Sequence, residues 1–391
     1  MPSRRALILF LNTGGGHRSA ALAIAEASQD LYGHRFQVEL VDVTADYFLW
    51  PLSELDTIYR WLVRFNSWPW ALTYRLTDGP RRIARLEGAW WLLTARSILS
   101  LLREHRADVI VCCHPLLRAP VARALEMEGS EKPLITLVTD LATGHAAWFH
   151  PRHAGCLVAT EPARERALAC GLSADSVQLT GLPVRPCFVR AAKRSVVHTR
   201  ERLGLEAKRP VILLLSGADG MGPFYSLLKA VVRGSPHAQV VAITGRNERL
   251  RVRLVSSRWR QPLHVKGFVD NVHDWMRAAS LLVTKAGPAT ITEALVVGTP
   301  MILSGAVPGQ EPPNVSYATQ TGAAVWAPHP TRAAQAVQEL LSPNNDKLQA
   351  MARRAEEAGC PDAAWQVARI IWTSAARTTG PSRQDQNWLD R

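Results

Sequence analysis

Short apolar runs recur along the chain, each closed by a glycine, His-Pro or other polar turn and followed by an amphipathic stretch. The first, residues 6–11, ends at Asn12-Thr13-Gly14 and leads into an alanine-rich segment, 19–31, with helical spacing. Runs at 37–43, 109–113 and 134–139 continue the series. A second series begins at 210–215 and continues through 239–244, 263–265, 281–284 and 300–303. Strands that are apolar on both faces and alternate with helices belong to parallel sheets covered on both sides. Two such series predict an α/β protein of two doubly wound domains facing a cleft. Between them stands Gly181-Leu182-Pro183-Val184-Arg185-Pro186, stiffened by proline and suited to a linker. The expected boundaries are 1–186 and 187–375, with a polar tail at 376–391.

One stretch departs from the alternation. Residues 44–106 carry six of the 13 tryptophans, and within 60–106 nine arginines stand against Asp78, Glu87 and Glu104, a net +6. Spacings such as Leu62/Phe65, Trp68/Leu72 and Leu92/Ile98/Leu102 fit amphipathic helices. Two readings are open. The segment is a helical insertion with inward tryptophans and solvated arginines, or a membrane-surface element whose indoles anchor among headgroups while arginine meets lipid phosphate. A second basic cluster, 246–260, has six arginines and one glutamate, net +5, in the pattern of a solvated helix face.

Composition narrows the class. With 391 residues, 47% of them hydrophobic, the chain can bury a large core, which excludes disordered and collagenous classes. The net charge of +13 asks for an anionic partner, a lipid surface or a nucleic acid. No run approaches the about 18–20 apolar residues of a membrane-crossing helix. The six cysteines form no C-x-x-C pair and read as reduced cytosolic thiols, and the run behind Arg4-Arg5 is too short for a signal peptide. The expected location is therefore cytoplasmic or on the inner face of the cell membrane.

Three loops carry candidate chemistry. Thr13-Gly14-Gly15-Gly16-His17 joins a strand to a helix; its glycines admit a substrate close to the backbone, and the helix dipole favours neutral His17, as a general base requires. It fits neither a P-loop nor G-x-G-x-x-G. The second loop, Thr139-Asp140 through His145, Trp148, His150 and Pro151, follows a strand's C-terminal end, where open α/β sheets place their sites. Asp140 can orient a histidine or bind a hydroxyl there. The third is Ser216-Gly217-Ala218-Asp219-Gly220-Met221-Gly222, whose neighbour in the fold is Lys285-Ala286-Gly287-Pro288-Ala289-Thr290, the start of a helix through Glu293. Free amides, Thr290 and the dipole suit a diphosphate without a metal, and Glu293 can grip two ribose hydroxyls. Gln310 and Glu311 have the groups that read sugar hydroxyls. No metal-ligand spacing is present.

These residues resemble the monogalactosyldiacylglycerol synthase and processive diacylglycerol glucosyltransferase family, relatives of MurG-type glycosyltransferases. The matching blocks are TGGGHRSAA at 13–21, VTDLATGHAAWFHP at 138–151, TGLPVRPCF at 180–188, ADGMGP at 218–223 and ITGRNERLRVRL at 243–254. They continue with VKGFVDNVHDWM at 265–276, TKAGPATITEAL at 284–295 and VPGQEPPNVSYA at 307–318. The resemblance implies a GT-B fold and inverting transfer of a hexose, galactose favoured over glucose, from a UDP-sugar to the sn-3 hydroxyl of diacylglycerol. It implies no cofactor or metal, and UDP-hexose, diacylglycerol and anionic membrane lipids as partners. His17 takes the role of base or base-relay for the acceptor hydroxyl, with Asp140 also catalytic, and Gly15, Gly16, His145 and Trp148 line the acceptor side. On the donor side it places Phe268 and Val269 at the uracil, Glu293 at the ribose, and Gln310 and Glu311 at the hexose. Lys285, Gly287, Pro288 and Thr290 fall at the diphosphate, with Ser216, Gly217 and Arg246 nearby. The chain departs from the family at Ala146, where proline is usual, and at Ala289, Ser216 and Ala218, where glycine is. Two other readings are a transferase acting on a lipid-linked or soluble saccharide and a basic nucleic-acid-binding protein. Against the latter, the arginine clusters lack the aromatics of a base-stacking sheet.

Overall fold

The computed structural model describes residues 4–13, 15–65, 67–149, 155–217, 224–259, 261–343 and 345–378. Gly14, His150-Pro151, the stretch from Ala218 to Gly222 and the tail from 379 onward lie outside the described residues. Two six-stranded sheets organise the rest. The first comprises β1 (Arg4–Phe10), β2 (Phe36–Asp42), β3 (Val109–Cys112), β4 (Leu134–Leu137), β5 (Gly155–Val158) and β6 (Val177–Leu179). The second comprises β7 (Val211–Leu215), β8 (Gln239–Ile243), β9 (Leu263–Lys266), β10 (Leu281–Lys285), β11 (Met301–Gly305) and β12 (Ala324–Trp326). Their orders are β2-β1-β3-β4-β5-β6 and β12-β11-β10-β7-β8-β9, with every neighbouring pair parallel.

The apolar runs explain the central strands. Leu7, Ile8 and Leu9 of β1 and Ile212, Leu213 and Leu214 of β7 are buried on both faces of their sheets. Each such side chain contributes about 1.5–3 kcal/mol through burial. The strands β5, β6 and β12 escape the sequence pattern: they hold three or four residues, and β6 leaves Gln178 and Leu179 exposed. The order in which successive strands are added reverses between β1 and β3 in one sheet and between β7 and β10 in the other. Loops at such switch points diverge and leave a crevice.

The last helix, Ala363–Thr378, follows the second sheet in the chain, yet Val367, Ile371 and Ala375 pack with Ala6, Ile8 and Val109 of the first sheet. Trp372 stacks on Tyr32 at 4.3 Å, under the Arg4 guanidinium. The helix's apolar stripe finds its partner across the chain, which no local pattern reveals. The proline-stiffened stretch 181–186 is packed as well, with Leu182 and Val184 buried in the second sheet's core.

The insertion forms helices Leu55–Phe65, Ser67–Thr77 and Pro80–Glu104. Its tryptophans divide between inside and outside. Trp91 is buried and Trp90 donates its indole N–H to the Leu116 carbonyl, whereas Trp50, Trp61 and Trp68 are 81%, 58% and 68% exposed. The grouping of Leu92 with Ile98 and Leu102 fails, since Ile98 and Leu102 are buried and Leu92 points to solvent. Their six-residue separation rotates Leu92 away from the face that Ile98 and Leu102 share.

Candidate active site

The C-terminal edges of both sheets face one cleft of about 370 Å³. The seam is tight. Ser19 Oγ donates to Glu293 Oε1 at 3.4 Å, and the Ala142 N–H donates to Asn314 Oδ1 at 3.3 Å. A Cβ on Gly16 would stand 4.0 Å from that of Ala289, so the two helices beginning at Gly16 and Pro288 present their N-termini to the same space.

On the first sheet's side, Gly15 takes φ +80°, the left-handed turn that starts helix Gly16–Tyr32 and places His17 in its first turn. His17 Nδ1 lies 2.6 Å from Thr139 Oγ1, and its ring meets His114 edge-on at 4.5 Å. His114 accepts the Leu116 N–H on Nδ1, so its Nε2–H donates to Thr13 Oγ1 at 3.1 Å and ties the glycine turn to β3. Burial lowers His17 to about 4 and carries His114 well below the usual imidazole range. Desolvation is the main cause of this neutrality.

Asp140 accepts the Trp148 indole N–H at 2.7 Å and a second hydrogen bond from the Gln310 amide. Burial raises its carboxyl to about 6, with Glu311 across the cleft adding to the shift. Trp148 and His145, expected on the acceptor side, are not among the residues that line this cleft. Trp148 is fully buried behind Asp140, and His145 accepts the Ala147 N–H on Nδ1 and pairs through Nε2 with Thr77 at 3.1 Å. Both are drawn inward because their polar atoms find partners there. Ala146 has a reason of its own: its N–H donates to Asp78 Oδ1 at 2.9 Å, which a proline could not do.

The second sheet supplies the rest. Gly217, with φ +75°, lies at the end of β7, and Arg246, Phe268 and Val269 follow β8 and β9 along the same cleft. The Arg246 guanidinium stands 5.4 Å over the exposed Phe268 ring. The Ser216 hydroxyl donates to the Ile243 carbonyl at 3.2 Å. Lys285 Nζ pairs with Glu311 Oε1 at 2.5 Å, while Glu311 Oε2 accepts the Val307 N–H. A Cβ on Gly287 would come within 3.2 Å of Lys285 Nζ, so glycine there keeps the lysine's path open. Pro288 opens helix Pro288–Val297, whose first-turn amides lack intrahelical partners and point, with Thr290, into the cleft. Glu293, one turn on, is raised to about 8 by burial, against the pull of Arg185. Among the described residues, no group of three or more His, Cys, Asp or Glu is disposed to hold a metal ion.

Sequence reasoning missed Tyr59, Ser19, Arg185 and His114 as parts of the site. His114 carried a signal, a His-Pro turn closing a strand. Tyr59 carried none, being one aromatic among many in an amphipathic helix.

Two parallel six-stranded sheets covered by helices and meeting across one cleft are the architecture of the two-domain GT-B fold. Solved structures agree on the fold: MurG of Acinetobacter baumannii superposes with a TM-score of 0.59 at 16% identity, covering 95% of this chain and 99% of its own. The MnaA–UDP co-structure from Staphylococcus aureus gives 0.60 at 12%, covering 96% and 98%. Residues 17–184 match the monogalactosyldiacylglycerol (MGDG) synthase family, and 211–367 match the glycosyltransferase family 28 C-terminal domain. A probable monogalactosyldiacylglycerol synthase of Nicotiana tabacum is 36% identical over 376 residues, 94% of this chain and 70% of the relative. Monogalactosyldiacylglycerol synthase 1 of Arabidopsis thaliana is 34% identical over 374 residues, 93% and 70%. The chain belongs to the monogalactosyldiacylglycerol synthase family and is a glycosyltransferase.

Proposed function

We propose that this enzyme transfers a hexose, galactose in preference to glucose, from a UDP-sugar to the sn-3 hydroxyl of 1,2-diacylglycerol. The anomeric carbon inverts and the product is a β-monohexosyldiacylglycerol. The observation that carries this reading is the juxtaposition, in one cleft, of neutral His17 with Lys285 and a free helix N-terminus. Relatives named monogalactosyldiacylglycerol synthase span nearly the whole chain and support galactose and diacylglycerol.

In this mechanism the lipid hydroxyl attacks the anomeric carbon as the bond from that carbon to the diphosphate oxygen breaks. The hydroxyl proton goes to His17, and UDP departs with the bonding pair. Lys285, Arg246 and the amides after Gly287 meet the growing negative charge without a metal. The diphosphate also raises His17 from about 4 toward the range in which a base works at neutral pH. Asp140 receives the acceptor side, and closure of the cleft excludes water that would hydrolyse the donor. The enzyme works as a peripheral protein on the inner face of the cell membrane, with exposed Trp50, Trp61 and Trp68 among the headgroups and arginines against anionic lipids. No helix among the described residues is long and apolar enough to cross a membrane.

Thin-layer analysis of lipid products tests the reading. Diacylglycerol vesicles supplied with UDP-galactose or UDP-glucose are compared with a lipid-linked saccharide acceptor. A monogalactosyl lipid is expected; transfer only to the saccharide would overturn the acceptor assignment.

A further inference from the structure

Tyr59 belongs to the insertion, on helix Leu55–Phe65, yet it lines the central cleft together with His17, Asp140 and Gln310. Its hydroxyl donates to Gln310 Oε1 at 3.3 Å. The ring is steadied edge-on by Trp70 at 5.0 Å. Beside it, Gly309 takes φ +83°, and a Cβ there would stand 3.3 Å from the Ala71 Cα. The paired helices Leu55–Phe65 and Ser67–Thr77 are therefore seated directly on the loop that carries Gln310 and Glu311. Burial, reinforced by the carboxylates of Glu311 and Asp140, pushes the Tyr59 phenol above its ordinary range, so it stays a neutral donor at any working pH.

A glutamine side chain ends in two unlike groups, a carbonyl that accepts and an amide that donates. The phenol O–H occupies the carbonyl end, which turns the NH2 end toward Asp140. With that O–H gone, the carboxamide is free to rotate by half a turn and show a sugar the opposite chemistry. Galactose and glucose differ only in the direction of one hydroxyl, a difference that hydrogen-bond polarity can read.

We propose that Tyr59 is a positioning residue of the hexose subsite: by fixing the Gln310 carboxamide in one orientation, it sets the preference between galactosyl and glucosyl donors. This rests on the assignment of a UDP-hexose as donor. It makes a residue of the membrane-facing insertion part of donor selection, although the nucleotide is held by the other half of the molecule.

Calorimetric titration of full-length protein with UDP, UDP-galactose and UDP-glucose tests it without any acceptor. In Tyr59→Phe, UDP affinity stays within twofold, while UDP-galactose binds about three- to tenfold more weakly, as the loss of one neutral hydrogen bond allows. UDP-glucose changes less, so the ratio between the two donors narrows. Gln310→Ala narrows it by itself, and Tyr59→Phe adds nothing in that background. Equal weakening of both hexose donors, weakening of UDP itself, or a full Tyr59→Phe effect persisting in Gln310→Ala would each overturn the proposal, as would an unchanged ratio in Gln310→Ala. Failure of the wild-type protein to glycosylate diacylglycerol would refute the acceptor assignment alone, with these donor ratios still deciding the role of Tyr59. Equal wild-type affinity for UDP and both UDP-hexoses would remove the hexose subsite and the proposal with it.

Discussion

The two switch points face each other and solve opposite problems. At the end of β1 and β3 the polar groups are held uncharged by burial: His17 is lowered to about 4, and His114 is well below its usual range. At the end of β7 and β10 charge is kept and compensated, with Lys285 and Glu311 paired at 2.5 Å and a helix N-terminus beside them. In the proposed mechanism one edge accepts a proton and the other receives an anion. The folds are alike; the division of labour comes from what each edge does with water.

The largest effect that follows is on chemistry alone. His17→Ala should reduce transfer by about 10²–10⁴-fold, the usual worth of a general base, while UDP affinity measured by calorimetry stays within about twofold. Parallel loss of both would erase the contrast between the edges. The reverse pattern is expected on the opposite side. Lys285→Ala should weaken UDP binding by about 10- to 100-fold, the worth of a charge-assisted contact, because Glu311 is also left without its cation. An unchanged UDP affinity would show that the lysine serves only the fold.

A smaller effect separates the insertion from both edges. Replacing exposed Trp61 and Trp68 by serine should weaken binding to anionic vesicles by about tenfold, read by sedimentation, without altering UDP affinity. The last effect is graded with pH and concerns the seam. In the proposed ribose role Glu293, raised to about 8 by burial, binds best as a carboxylate, so UDP binding should release a proton below that pH. Affinity should then rise with pH up to about 8, by at most about tenfold per unit, and level off above it. Glu293→Gln should flatten the dependence; a slope of opposite sign would take the ribose away from Glu293.

Sequence and structure divide the account along a physical line. The apolar runs specified β1 and β7 and the central strands beside them, since a strand buried on both faces must be apolar throughout. The small-residue turns after those strands located His17, Asp140, Lys285 and Glu293, because close backbone approach and helix starts leave a local record. The short strands β5, β6 and β12 left too few residues to read. The tertiary structure alone decided what lies behind the loops: Trp148 braces Asp140 from within, and Ser216 bonds the Ile243 carbonyl. It also decided that the last helix returns to the first sheet, and that Tyr59 crosses from a helix of the insertion to Gln310. Periodicity records which face of an element is buried; it does not record which distant element buries it. The sequence thus determined the two sheets and the chemistry at their edges. Long-range packing decided which side chains touch the cleft and which hold it in shape.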